Sequence, residues 1–192
     1  MNGTFDIGSL KRRLKPVTSS LESRNEERPG AAVAIIIDPK REGASILLIK
    51  RTERQGDPWS GQIAFPGGHK SGSDRTSLET AIREASEEVG IHLIDHDVLG
   101  VLPFVYSRTR RVLVAPLVFQ LRSDVIVHLN EEVAESFWVT LSDLSKIKVT
   151  KSKVEVEEGK LTVDSYVYGD RVIWGLTFRI INLLLNKREL RS

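Results

Sequence analysis

Runs of apolar side chains along the chain predict several strands. A β-branched and aliphatic run over Ala31–Asp38 and a second run over residues 45–50 are separated by a turn that starts at Asp38-Pro39, and together they predict a mostly buried hairpin. Further strands are predicted at residues 62–65, 98–106, 112–122 and 136–139, and a second hairpin at residues 154–168. The strand at 62–65 is expected to stop at a turn formed by Pro66-Gly67-Gly68.

Three other stretches have helical spacing. Residues 4–17 place apolar side chains at near-helical intervals, with basic residues between them, and Pro16 ends this short N-terminal helix. The helix either packs on the edge of the domain or lies on a membrane surface as a basic amphipathic helix. Residues 141–146 predict a helical turn, and residues 174–187 predict an amphipathic helix that closes the domain.

Strands and helices are thus mixed without strict alternation, which indicates an α/β (α+β) fold built from two packed layers or from a three-layer sandwich. We predict an N-terminal helix and connector over residues 1–28 and a single domain over residues 29–192.

A further helix is predicted from its two end signals. Thr76 and Glu79 have the spacing of a capping box, and Gly90 lies where a left-handed residue would end the helix. With 3.6 residues per turn, its three acidic residues, Glu84, Glu87 and Glu88, fall within an arc of about 100°. An aliphatic stripe lies beside this acidic ridge.

The acidic ridge is electrostatically unfavourable on its own. Like charges at these spacings repel, and Glu87 and Glu88 lie near the helix C-terminus, where the dipole disfavours anions. Arg83 can offset only one pair, through its contact with Glu87 one turn away. Either the ridge is a solvated helix face, or it holds a hard divalent cation such as Mg²⁺ or Mn²⁺. The upstream Gly67-Gly68 turn, where backbone groups can approach a ligand, favours the metal site.

Composition excludes several other classes of function. The chain has 192 residues, of which 40% are hydrophobic and 28% charged, and its net charge is +2, so nucleic acid or an anionic membrane is not indicated as a partner. It contains no cysteine, which excludes disulfides, thiolate metal sites and a cysteine nucleophile. Without a secretory signal pattern, the expected location is the cytoplasm.

The stretch from Gly68 to Ile91 resembles the signature of the Nudix hydrolase family. The matching residues are Arg83, Glu84, Ala85, Glu87, Glu88, Gly90 and Ile91. Two departures exist: Gly68 lies fifteen residues before Arg83, one more than usual, and the first acidic position of the pattern falls on Asp74 or Arg75 instead of a glutamate. In the family that first acid is mainly structural. The resemblance implies an α/β/α sandwich with a mixed central sheet.

Other segments are similar to the coenzyme A diphosphatase branch of this family. They are residues 61–68, which follow Leu47 to Thr52, the segments around Leu102-Pro103 and Val114-Ala115-Pro116, and residues 174–177. The loop at 52–60 departs from the pattern of the branch. The resemblance covers roughly residues 30–185.

The resemblance also implies roles for individual residues. Glu84, Glu87 and Glu88, with the carbonyl of Gly68, would coordinate Mg²⁺ or Mn²⁺, and Arg83 would orient Glu84 or Glu87. The general base varies within the family; it is a glutamate of the signature, such as Glu84, or a later carboxylate.

Candidate residues outside the signature complete the predicted site. For the later carboxylate the candidate is Glu132, which is otherwise an exposed loop acid. Candidates for binding substrate are Arg51, Arg108, Arg110 and Arg111, which could bind phosphates and are alternatively solvated turn residues, and Trp59, which could stack on a base.

Three functions are compatible with these residues. The first is hydrolysis of the pyrophosphate bond of coenzyme A or its derivatives. The second is hydrolysis of nucleoside triphosphates, including oxidised ones, or of ADP-ribose. The third is a Nudix-fold binding protein without turnover, because a fold alone does not define a function. We expect a small-molecule nucleotide substrate and no nucleic-acid or membrane partner, and the sequence is compatible with a homodimer.

Overall fold

The structure is a computed structural model, and it describes residues 5–17, 28–41, 44–54, 60–107, 111–156 and 159–187. The helices are α1 (Ile7–Arg13), α2 (Ser77–Val89), α3 (Leu141–Lys146) and α4 (Gly175–Leu184). The strands are β1 (Ala31–Asp38), β2 (Ser45–Arg51), β3 (Ile63–Ala64), β4 (Gly67–His69), β5 (Asp97–Val101), β6 (Val105–Ser107), β7 (Val112–Gln120), β8 (Val133–Thr140), β9 (Thr150–Val156), β10 (Gly159–Tyr168) and β11 (Arg171–Trp174).

Eight strands form one mixed sheet. Its main path runs β3-β2-β1-β7-β5, with β4 paired to β1, β6 to β7 and β8 to β2. Only β1 and β7 pair in parallel among these strands, from Ala31 opposite Val114 to Ile37 opposite Gln120. A parallel pair needs a long crossover connection. Here the crossover contains α2, so the acidic helix lies directly on the centre of the sheet.

The central strand β1 is buried on both faces, which explains its unbroken apolar sequence. Alternate residues enter two cores. Val33, Ile35 and Ile37 pack into the core that includes α4, whereas Ala32, Ala34 and Ile36 pack into the core that includes α2. Helices on both faces of a mixed sheet confirm the predicted α/β/α sandwich and exclude the two-layer alternative.

The N-terminal helix α1 packs on the α4 side of the domain. Leu10 is fully buried there, and Arg13 donates from Nη1 and Nη2 to the carbonyl oxygens of Leu183 and Leu184, at 3.1 and 2.8 Å. These carbonyls end α4, where a cation is favoured. The helix is shorter than the predicted 4–17 because Lys15 pairs with Val101 as an isolated β-bridge. The predicted division at residues 28 and 29 stays a prediction.

Several predicted element boundaries were wrong. The expected glycine turn is β4, whose backbone pairs with β1, and the strand before it is only Ile63–Ala64. The single strand expected over 98–106 is broken after Val101, because Pro103 lacks the N–H that a ladder requires. β8 is longer than predicted.

The second hairpin, β9–β10, continues into β11, so these strands form a three-stranded sheet in the order β11-β10-β9. The last helix therefore begins at Gly175, after β11, instead of at residue 174. Within the described ranges, no helix is long and apolar enough to cross a membrane.

Candidate active site

Helix α2 begins and ends as its sequence predicts. The Thr76 hydroxyl oxygen accepts a hydrogen bond from the Glu79 N–H at 3.2 Å, and Gly90 adopts a left-handed φ of 68°. Ala85 and Val89 are fully buried against the sheet. These contacts fix the rotation of α2 and direct the acidic ridge toward the edge formed by β4 and the end of β2.

Glu88 is the most buried acid of the ridge. Only 3% of its side chain is exposed, and Oε2 accepts a hydrogen bond from the Gly67 N–H at 2.8 Å. Nη1 of Arg51 lies 3.7 Å from Oε1. Burial raises the pKa of Glu88 to about 7, although the Gly67 hydrogen bond opposes the shift. The charges of Glu84 and Glu132 contribute to the same increase.

Glu84 lies directly against Gly68. A Cβ atom added to Gly68 would stand 2.4 Å from Oε1 of Glu84, so only glycine leaves room for the carboxylate in this position. Burial raises the pKa of Glu84, the nearby Arg83 lowers it, and the charges of Glu87 and Glu132 raise it further. The carboxylates of Glu84 and Glu88 thus face the two glycines of β4, where the strand presents only backbone atoms.

Arg83 contacts both of the more exposed acids. Its Nη1 lies 2.8 Å from Oε1 of Glu84 and 2.9 Å from Oε2 of Glu87, and its Nη2 donates to the His69 carbonyl oxygen at 3.0 Å. The side chain of Glu87 remains 55% exposed. Arg83 therefore connects the acidic ridge to strand β4, whereas its orienting role in the reaction stays a prediction.

Asp74 anchors Arg83 from the other side, a role that the sequence analysis did not assign. Its carboxylate accepts hydrogen bonds from Nε and Nη2 of Arg83, the closest at 2.9 Å, and from the Ser71 N–H at 2.9 Å. The Arg83 hydrogen bonds hold the pKa of Asp74 well below its usual range, and the same bonds raise the pKa of Arg83. Asp74 occupies the first acidic position of the signature, and that position was the available signal.

Glu132 belongs to the same electrostatic cluster although it is 44 residues beyond Glu88. Its carbonyl oxygen accepts a hydrogen bond from the Thr52 N–H at 2.9 Å, which holds the segment beside the end of β2. Its charge raises the pKa of both Glu84 and Glu88. The structure thus brings Glu132 to the acidic ridge, whereas its role as general base stays a prediction.

The substrate-binding candidates are not all brought together. Arg51 lines a cavity and also approaches Glu88. Arg111 is exposed, has a left-handed φ of 49°, and does not belong to the cavity wall as far as the described residues define it. Trp59, Arg108 and Arg110 lie outside the described residues.

The cavity itself has a volume of about 760 Å³ and lies on the α4 side of the sheet. Gly67, Gly68 and Arg51 line one part of its wall, and residues of β10 and α4, such as Val163 and Leu176, line another. Its size is that of a typical small-molecule site. The glycines connect the cavity with the acidic ridge, because Gly67 contacts Glu88 and Gly68 contacts Glu84.

The sandwich fold and a carboxylate helix against a glycine strand define a class of phosphoanhydride hydrolase, and comparison with known sequences agrees. The sequence profile of the NUDIX domain matches residues 27–158. The chain belongs to the Nudix family and is a Nudix pyrophosphohydrolase. The alternative of a binding protein without turnover is therefore set aside.

Individual relatives refine this assignment. The chain is 35% identical to NudL of Pectobacterium atrosepticum, an uncharacterized Nudix hydrolase, over 86% of this chain and 85% of the relative. It is 29% identical to the mitochondrial coenzyme A diphosphatase NUDT8 of Mus musculus, over 91% of this chain and 86% of the relative. The crystal structure of a C. elegans Ap4A hydrolase shares the fold, with a TM-score of 0.52 and 20% identity over 60% of this chain and 83% of that one.

Nudix hydrolases generally use divalent metal ions. The donor set here fits such an ion: two carboxylates with raised pKa values lie beside a glycine strand whose backbone is open to them. In the part of the chain that the structure describes, however, no three acidic or histidine side chains already converge at metal-binding distances. The reason is that Glu84 and Glu87 are turned toward Arg83 and Glu88 toward Gly67.

Proposed function

We propose that this enzyme hydrolyses the pyrophosphate bond of coenzyme A or its derivatives in a reaction that depends on Mg²⁺ or Mn²⁺. The observation that carries the substrate assignment is the similarity to the mouse coenzyme A diphosphatase, which extends over 91% of this chain. Because the matched NUDIX domain spans only residues 27–158, this similarity reaches beyond it. In the reaction, water adds its oxygen to one phosphorus, and the bridging oxygen leaves with the other phosphate. The products are 3′,5′-ADP and 4′-phosphopantetheine.

Glu84, Glu87, Glu88 and the Gly68 carbonyl would hold the divalent cation. When bound, the cation would neutralise the anionic oxygens of the pyrophosphate and activate water. The burial of Glu84 and Glu88 supports this role, because two repelling carboxylates with raised pKa values gain from a nearby positive charge.

The remaining residues orient the metal-binding carboxylates, bind a substrate phosphate and accept a proton. Arg83, fixed by Asp74, keeps Glu84 and Glu87 on the side of the ridge that faces β4. Arg51 lines the cavity and lies beside Glu88, where its guanidinium can bind a substrate phosphate. Glu132 is the candidate that accepts a proton from water, because its charge acts on the same carboxylates without contact with Arg83 in the described structure.

A hydrolysis panel tests this proposal. The full-length protein with Mg²⁺ or Mn²⁺ is offered coenzyme A, ADP-ribose, NADH, dinucleoside polyphosphates and nucleoside triphosphates, and products are separated by chromatography. We expect the highest kcat/KM for coenzyme A, with 3′,5′-ADP as a product. A preference for ADP-ribose or for nucleoside triphosphates would replace the substrate assignment while leaving the family unchanged. The cytoplasmic location, the absence of nucleic-acid and membrane partners, and a homodimer stay predictions.

A further inference from the structure

The β9–β10 hairpin turns one of its faces toward the core. Tyr166 lies on that face, is fully buried, and has its ring centroid 4.8 Å from that of Phe178 on α4. Because side chains alternate along a strand, Asp164 lies on the same face, and Lys151 joins it as the residue directly opposite in β9. Lys151 and Asp164 both line the cavity. The inward face of the hairpin thus changes from aromatic to charged where it reaches the cavity.

The two charged residues form an ion pair. Nζ of Lys151 lies 2.8 Å from Oδ1 of Asp164, and 66% of the Lys151 side chain but only 21% of the Asp164 side chain is exposed. Because most of the lysine remains in water, the pair itself contributes little to stability. Its charges at the cavity wall are therefore available for contact with a polar ligand.

The surrounding wall restricts the chemistry of that ligand. Leu176 and Phe178, which have apolar side chains, line the same cavity. A phosphate group is disfavoured here because the Asp164 carboxylate would repel it. A neutral amide suits the pair, since its N–H can donate to the carboxylate while its carbonyl oxygen accepts from the ammonium group. Aliphatic segments beside the amide would contact the apolar wall.

We infer that the hairpin end of the cavity binds the pantetheine arm of the substrate, with Lys151 and Asp164 as specificity-determining residues for its amide groups. This inference rests on the proposed function, because pantetheine is the part of coenzyme A that combines amides with aliphatic segments. The arrangement leaves the pyrophosphate at the opposite end, where Arg51, Gly67 and Gly68 line the cavity beside the acidic ridge. β11, next to β10, packs against β3 and α4, which fixes the hairpin on the domain.

Two variants of the pair and two matched controls test the inference. Asp164→Asn and Lys151→Met remove one charge each. Glu155→Gln and Lys160→Met do the same to a second ion pair between β9 and β10, which is exposed and is not part of the cavity wall among the described residues. Thermal unfolding of all four verifies that they are folded.

The readouts are the binding of free pantetheine, measured by calorimetry, and the kinetics of coenzyme A hydrolysis. For Asp164→Asn and Lys151→Met we expect the Kd for pantetheine and the KM for coenzyme A to rise about tenfold, with a smaller change in kcat. The controls should match the unaltered protein. The double exchange Lys151→Asp with Asp164→Lys keeps the ion pair, so recovery of normal KM in this variant would reduce the pair to a structural role and overturn the inference.

The outcomes also separate the inference from the proposed function. If the unaltered protein hydrolyses coenzyme A but all four variants behave alike, the proposed function stands and the inference is wrong. If coenzyme A is not hydrolysed while pantetheine binds and the Asp164→Asn variant loses it, the pantetheine subsite stands and the proposed reaction is wrong. Absence of pantetheine binding to the unaltered protein contradicts the inference directly.

Discussion

Two guanidinium nitrogens of Arg83 donate hydrogen bonds to the carboxylate of Asp74, Nε to Oδ1 at 3.2 Å and Nη2 to Oδ2 at 2.9 Å. The same arginine contacts Glu84 and Glu87 through its third nitrogen, Nη1. Asp74 therefore acts on the acidic ridge without touching it. A shorter acid at the first position of the signature is compatible with a loop that is one residue longer, because the loop carries the carboxylate to the guanidinium.

Replacement of Asp74 by asparagine should destabilise the protein in a pH-dependent way. Its folded pKa lies below the unfolded value of about 4, so its stabilisation is present above that pH and is lost as the pH falls below it. We expect Asp74→Asn to lower the free energy of unfolding by about 2 kcal/mol at pH 7, with a smaller difference near pH 3. Urea denaturation at pH 7 and at pH 3 measures this difference in the free energy of unfolding. The exposed Asp124→Asn is the control, and an equal loss in both variants would contradict the assignment.

Replacement of Glu88 by glutamine should stabilise the metal-free protein and abolish turnover. The folded pKa of about 7 lies above the unfolded value near 4.5, so the cost of the buried charge is absent below pH 4.5 and complete above pH 7. We expect Glu88→Gln to gain about 2 kcal/mol at pH 8 in EDTA and almost nothing at pH 4. The Gly67 N–H keeps an acceptor in the amide oxygen. Full Mg²⁺-dependent activity, or lower stability at pH 8, would refute the metal-ligand assignment.

Alanine at the two glycines of β4 should have different effects: Gly67→Ala should reduce stability, and Gly68→Ala should reduce activity. At Gly67 a Cβ atom would stand 2.4 Å from the Ala32 carbonyl oxygen, and φ is 155°, so Gly67→Ala must displace backbone and should reduce stability by several kcal/mol. At Gly68 the three atoms nearest to the added Cβ all belong to the Glu84 carboxylate, which can rotate away. Gly68→Ala should remain folded but lose activity about 100-fold. Melting temperatures and kcat values of both variants test these expectations. Full activity of Gly68→Ala would show that the position of the Glu84 carboxylate is not needed for turnover.

Glutamine at position 132 should slow turnover. If Glu132 accepts the proton of the attacking water, Glu132→Gln lowers kcat about 100-fold with little change in KM. The neighbouring Glu131→Gln, which is exposed, serves as control. An unchanged kcat in Glu132→Gln would assign the proton transfer to a glutamate of α2.

The acidic helix was predictable because its information is local. Thr76, Glu79 and Gly90 define its ends within fifteen residues, and Glu84, Glu87 and Glu88 share one face by helix geometry alone. The placement of Arg51 and Glu132 beside this face depends on the pairing of β2 with β8, in which Arg51 lies opposite Val133. Such register is set by distant contacts, so sequence could name these two residues only as candidates.

Other structural features have no recognisable pattern in the sequence. β4 consists of Gly67, Gly68 and His69, and a strand with almost no side chains shows no alternation of apolar and polar positions. β11 was not predicted, and its last residue, Trp174, was assigned to the predicted helix that starts there. The cavity and the Lys151–Asp164 pair arise only after the small sheet packs against α4 and β3. The sequence therefore indicated the acidic ridge more fully than the cavity.

The parallel pairing of β1 with β7 has a consequence for the order of folding. Ala31 meets Val114 only when the intervening chain, which includes the whole of α2, has been synthesised and looped back. Closing so long a loop is entropically costly and slow compared with forming a local hairpin. A nascent chain that ends before β7 would thus carry its acidic helix on an incomplete sheet, and refolding should recover catalytic activity later than the helical signal.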